Sequence, residues 1–229
     1  MSILNSKSLS ATIDNVNLAD FYGAPLKKQD CRDAIAWILT RFEAPSAYGR
    51  TFGITRQDES ERLCTFTGEG LVSDASMRHV HAEEACRALI VLNRVAKLNI
   101  PELELASQFL LTCIVRSENA GKPAGTYCCG PCTVSLWRHM AVGGLADYSK
   151  KLNLGVGVLQ TYRDNKGTWG RFPFYYTLLA LSEIDLANAR KEIRYALPEC
   201  KRKLKTLRAS SRFSRRKADL LTRILQKHM

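Results

Sequence analysis

Long apolar runs are missing. No stretch of about 18 apolar residues occurs in the 229-residue chain, so a membrane-spanning helix is not expected. Residues 1–17 are polar and serine-rich and lack the apolar core of a signal peptide; we expect a mobile leader on a cytoplasmic protein. Strand-like alternation is nearly absent, the best instance being Leu63-Cys64-Thr65-Phe66-Thr67. Acidic residues almost vanish from residues 200–229, where Asp219 stands against eleven Lys and Arg. That segment carries +10 of the net +12, so basicity is a property of the tail.

Cysteine is plentiful. Cys31, Cys64, Cys86, Cys113, Cys128, Cys129, Cys132 and Cys200 lie mostly inside apolar, helix-like segments, and without a signal sequence they read as reduced core thiols.

A short pattern occurs twice. Gly125-Thr126-Tyr127 is followed by Pro131 and Gly167-Thr168-Trp169 by Pro173, the two copies 42 residues apart. Each sits between apolar segments and reads as helix, tight turn, Pro at the helix start, helix. A period of this size suggests stacked helical pairs. Elsewhere, Asp30 to Phe42 places Ala34, Ile35, Ile38 and Leu39 on one helical face, and Ser73-Asp74 caps a helix running to Leu98. Pro101 opens another, carrying Leu103, Ala106, Leu110, Cys113 and Ile114. Further helices are expected from Pro131 to Val142, Asp147 to Tyr162, Pro173 to Leu181 and Asp185 to Tyr195. Residues 46–74 fit either a small hairpin or a structured loop. The expected architecture is all-α, with a leader at 1–17, a helical domain at 18–199 and a basic helical segment at 200–229.

The phrase Leu159-Gln160, Gly167-Thr168-Trp169-Gly170, then Phe172 through Leu181 resembles the repeat of the prenyltransferase and squalene-cyclase α/α toroids. Phe109 to Gly144 looks like a second copy, and Ala36 to Phe52, with Tyr48-Gly49, like a degenerate third. The resemblance implies helix pairs around a central apolar cavity holding an apolar small molecule, isoprenoid-like or diphosphate-bearing. Trp137, Trp169, Tyr175 and Tyr176 would line it, with Arg138, Arg171 and Lys166 near an anionic head group. The family's catalytic signatures do not carry over: Asp-x-Asp-Asp occurs nowhere, and its zinc ligands find no matching positions.

Cys129-Gly130-Pro131-Cys132 matches the active-site tetrapeptide of thioredoxin, in which a helix N-terminus stabilises one thiolate and a second thiol resolves a mixed disulfide. On a helical fold the same residues read as a redox dithiol or a metal site, with Cys128 as a third thiol. Cys132 and His139 share a helix face and could act as ligand pair or as nucleophile and base. His79 and His81, paired with Glu83 and Glu84 by helical spacing, are further candidate ligands for a divalent metal. In the tail, Arg212, Arg215, Arg216 and Lys217 suit phosphate binding: residues 200–229 could bind nucleic acid or another acidic partner, attach to an anionic membrane surface, or form a solvated basic helix that closes the ring.

Overall fold

The computed structural model describes residues 3–145 and 148–229. Among these the protein is all-helical, its only strand-like pairings being isolated bridges. The helices are α1 (Leu9–Tyr22), α2 (Lys28–Leu39), α3 (Arg56–Ser60), α4 (Asp74–Ala96), α5 (Pro101–Asn119), α6 (Gly130–Ala141), α7 (Tyr148–Gly157), α8 (Phe174–Glu183), α9 (Ala187–Thr206) and α10 (Arg212–His228), with a 3₁₀ turn at Val158–Tyr162 after α7. The helix start expected at Asp147 lies outside the described residues.

Local chemistry sets the ends. Ser73 caps α4 by accepting the Ser76 amide at 3.2 Å, and Ser76 returns a bond to the Ser73 amide. Pro101 begins α5, Pro131 lies in the first turn of α6, and Pro173 immediately precedes α8, three sites where a missing amide hydrogen costs nothing.

Helix α4 runs through the middle. It packs against α1, α2, α5 and α6, and α6 in turn against α7 and α8. Both are buried nearly all round: Ala85, Leu89 and Leu92 on α4 and Val134, Leu136 and Trp137 on α6 are fully enclosed. Each large apolar side chain so buried contributes roughly 1.5–3 kcal/mol. Charged and polar side chains of α4 and α6 are buried as well: none of Glu83, Glu84, Arg87, Arg138 and His139 is more than 5% exposed.

The repeated turn is a structural repeat. Gly125 and Gly167 both have positive φ, +72° and +87°. A Cβ on Gly125 would lie 2.1 Å from the Lys151 carbonyl of α7, and one on Gly167 would lie 2.9 Å from Glu199 Cβ of α9. Each glycine therefore lets its turn press on the helix after next, and each following aromatic, Tyr127 or Trp169, is buried.

Two expectations change. The leader is largely helix: Leu9, Thr12, Ile13, Val16 and Asn17 form the buried face of α1, which packs on α4, and Ser8 caps it while bonding Asp58 of α3 at 2.5 Å. The boundary at residue 200 falls inside α9, where Cys200 is fully buried, and α10 packs on α8 and α9. The segment 46–74, open between hairpin and loop, holds the short α3, one end of the Phe42–Phe52 bridge, and the Cys64–Gly70 bridge with Thr65 N to Glu69 O at 2.9 Å and Leu71 N to Leu63 O at 3.0 Å.

Candidate functional site

The cysteine loop is fixed from both sides. Cys129 is the extended N-cap of α6, and its carbonyl accepts the Thr133 amide at 3.0 Å. Gly130 approaches the second repeat turn so closely that a Cβ would sit 2.0 Å from the Arg171 carbonyl oxygen. Arg171 Nη2 then donates to the Cys128 carbonyl at 2.9 Å. The second copy of the repeated turn thus clamps the loop that follows the first.

Across from this loop stands His79, in the second turn of α4. Its ring is stacked on Tyr48, centroids 4.2 Å apart at 9°, and meets the edge of Tyr127 at 4.2 Å. An imidazole nitrogen of His79 and the sulfurs of Cys128 and Cys132 all lie within 4.8 Å of one another. His79 and Cys132 are buried while Cys128 is exposed, so the cluster is enclosed on the protein side and open on one. Hydrogen bonds from Cys132, then His79, pull Cys128 down to about 4, whereas its bonds to Cys128 and Cys129, with burial, push Cys132 up. Burial, then the neighbouring Cys113, pushes Tyr48 up to about 12 and keeps that phenol neutral.

Glu83, fully buried, backs the site. Its Oε1 lies 3.8 Å from His79 Nε2, an atom with no hydrogen-bond partner, and accepts the Tyr127 hydroxyl at 3.0 Å. Its Oε2 lies 2.6 Å from His139 Nδ1. This corrects the expected pairing of Cys132 with His139. His139 turns to Glu83 across the α4–α6 contact, and its Nε2 faces Gly144, where an added Cβ would be 2.2 Å away. The histidine brought to Cys132 is His79. Cys129 interacts with both neighbouring thiols without joining the group that closes on His79. His81 also stands apart: its Nδ1 is 2.8 Å from the Met77 carbonyl, burial lowers its pKa, and it borders a cavity of about 250 Å³ with Glu84 and Tyr176.

The ligand residues expected from the resemblance are held within the protein. Arg138 donates to Glu84 Oε1 at 2.5 Å and to both Glu183 oxygens at 2.9 Å. Tyr176 donates to Glu84 Oε1 at 2.5 Å, and Asn17 to Glu84 Oε2 at 2.9 Å. Arg87 completes this network through Asn17, Asp20 and Glu183. Trp137 Nε1 bonds the Gly125 carbonyl at 2.9 Å and Trp169 Nε1 bonds Glu192 at 3.0 Å. Tyr175 lies beneath two cations, Lys203 and Lys217. In the tail, Arg216 is 4% exposed and spent on Asp14 and the Phe66 carbonyl, Arg212 lies over Phe213, and Arg215 is exposed.

Sequence reasoning gave no chemical role to Tyr48, Asn17 or Glu183. Nothing local marks them, since each acts on partners at least 30 residues away. No protein-family model matches the chain, nor does any curated protein or solved structure.

Proposed function

We propose that the protein is a metalloprotein that holds one divalent ion of the zinc class through His79, Cys128 and Cys132. The observation that carries this is the convergence of two sulfurs and an imidazole nitrogen, from α4 and from the turn into α6, within 4.8 Å. With metal–sulfur bonds of about 2.3 Å and metal–nitrogen bonds of about 2.0 Å, ligands around one tetrahedral ion lie roughly 3.3–3.8 Å apart, so the cluster needs little adjustment. The donor set, thiolate plus imidazole, is the one that selects zinc over magnesium or calcium. Glu83, fixed by Tyr127 and His139 and 3.8 Å from His79 Nε2, supports the reading by its place: a small shift would make it the outer carboxylate that orients a ligating histidine. Three protein ligands leave a fourth position on the side of exposed Cys128, the arrangement of zinc sites that act on a bound water or substrate.

Titration of the reduced full chain with Co²⁺ tests this. One equivalent should bind, with thiolate-to-cobalt absorption in the near ultraviolet, and Zn²⁺ should displace it. Cys132→Ser and His79→Ala should each weaken binding by at least about tenfold, Cys129→Ser should leave it, and bound Zn²⁺ should shield Cys128 from alkylation. Binding that survives Cys128→Ser with Cys132→Ser would overturn the assignment. So would a reduced chain that takes no ion and instead oxidises to a Cys128–Cys132 disulfide, which would mark the pair as a redox dithiol.

A further inference from the structure

Helices α9 and α10 with their connection hold fourteen Lys and Arg against Glu192, Glu199 and Asp219, so eleven of the chain's twelve net positive charges sit there. The fold sorts these charges by face. Glu192 and Glu199 are buried, the first tied to Arg163 and Trp169 and the second to Arg202 and Lys203. Asp219 is taken by the Tyr22 hydroxyl. Arg190, Arg194, Lys201 and Lys205 recur at helical spacing and are all exposed, so the outer face of α9 carries one sign of charge. Arg190 shares its charge with exposed Asp185; Arg194, Lys201 and Lys205 have no ion pair among the described residues. The end of α10 joins this stripe because α10 packs along α9; there burial, then Lys227, Arg194 and Arg190, hold the His228 imidazole below its usual value.

We infer that the outer face of α9, extended by the end of α10, is a docking surface for the phosphate backbone of a nucleic acid. The 20 residues of α9 make a rod about 30 Å long, matching about nine phosphates along one strand. The surface differs from the one expected from the sequence alone. It lies mainly on α9, and it loses Arg216, which is buried against Asp14. An anionic membrane fits less well. A basic helix binds a bilayer by sinking its apolar face, and in α10 that face, Leu220, Leu221 and Ile224, is already buried at 2% exposure or less. Recognition rests on phosphates, so it is independent of base sequence and steep in salt.

The test is fluorescence anisotropy of a labelled mixed-sequence 20-base-pair duplex, and its single strand, with the full chain at several salt concentrations. A logarithmic salt slope of about −4 to −5 is expected for duplex, from the exposed Arg190, Arg194, Lys201, Lys205 and Lys227 at about 0.9 each. The variant Arg194→Glu/Lys201→Glu/Lys205→Glu, all at exposed sites, should lower the slope by about three and weaken binding about tenfold or more. Reversal of exposed Lys28 and Arg32 on α2, a helix packed on α4, should change neither. No binding to either oligonucleotide at about 50 mM salt, equal loss with the α2 variant, or binding to phosphatidylserine vesicles in place of oligonucleotides would overturn the inference.

Discussion

Replacing Arg138 with Met should be among the most damaging single changes in the protein. The guanidinium is 1% exposed and donates to Glu84 and Glu183. Met nearly keeps the volume and removes the charge, so little cavity arises and the loss is electrostatic. Glu84, 5% exposed, would keep Tyr176 and Asn17 but lose its direct cationic partner. Removing one member of a buried ion pair costs about 3–5 kcal/mol, a large share of the ~5–15 kcal/mol that holds a domain folded. Glu183 is 22% exposed and still bonded to Arg87, so most of the cost falls on Glu84. Urea unfolding followed by circular dichroism reads this as a lower midpoint at unchanged slope. Adding Glu84→Gln to Arg138→Met removes the stranded charge and should return about 1–2 kcal/mol. A loss below about 1 kcal/mol for Arg138→Met, or a double variant less stable than the sum of the singles, would refute the view of Arg138 as the counter-charge of Glu84.

Acid should act through the same network. Burial pushes the Glu84 carboxyl up, but Arg138 and Arg87, with bonds from Tyr176 and Asn17, hold it net below its usual value of 4.5. Its contribution is therefore full above about 4.5 and fades as pH falls through the depressed value, so a stability–pH curve should drop in that window, and Glu84→Gln should flatten the drop. Gly23→Ala, at φ +65° with open space around it, should cost about 1–2 kcal/mol in thermal or urea unfolding. Gly125→Ala should cost on the order of 3 kcal/mol or more, because the new Cβ meets the Lys151 carbonyl at 2.1 Å. Trp169→Phe keeps an aromatic side chain but loses the indole's second ring and its bond to Glu192, for about 2–4 kcal/mol by the same measurement.

Helix starts were legible wherever they carry chemistry of their own. Ser73, Pro101, Pro131 and Pro173 each mark a boundary that the structure keeps within a residue or two. Helix α1 was missed because its polar composition hides a narrow stripe: Leu9, Ile13 and Val16 are apolar, while Thr12 and Asn17 fill the rest of the buried face through hydrogen bonds. A Ser cap at residue 8 and a left-handed Gly at residue 23 were the available signals. Two of the three members of the cluster were readable together, since Cys128 and Cys132 lie four residues apart at the turn into α6. The link to His79 spans about 50 residues and is made by packing α4 on α6, which no local pattern encodes. The same distance explains His139: helical spacing favoured a partner on its own helix, whereas Glu83 reaches it from the neighbouring one.

The middle position of α4 bears on the order in which the chain is made. Glu84 meets its cation only when residue 138 has emerged, and its phenol only with residue 176; Arg87 waits for residue 183 for one of its carboxylates. A nascent chain that ended before α6 would carry Glu83, Glu84 and Arg87 on a helix surface shaped for burial, with water as their main solvent. Such a chain gains little by collapsing early, because dehydrating those charges without their partners is unfavourable. Asn17 and Asp20 of α1 can meet part of this need early, so the expected consequence is a first half that gains its full compactness only when α6 and α8 arrive.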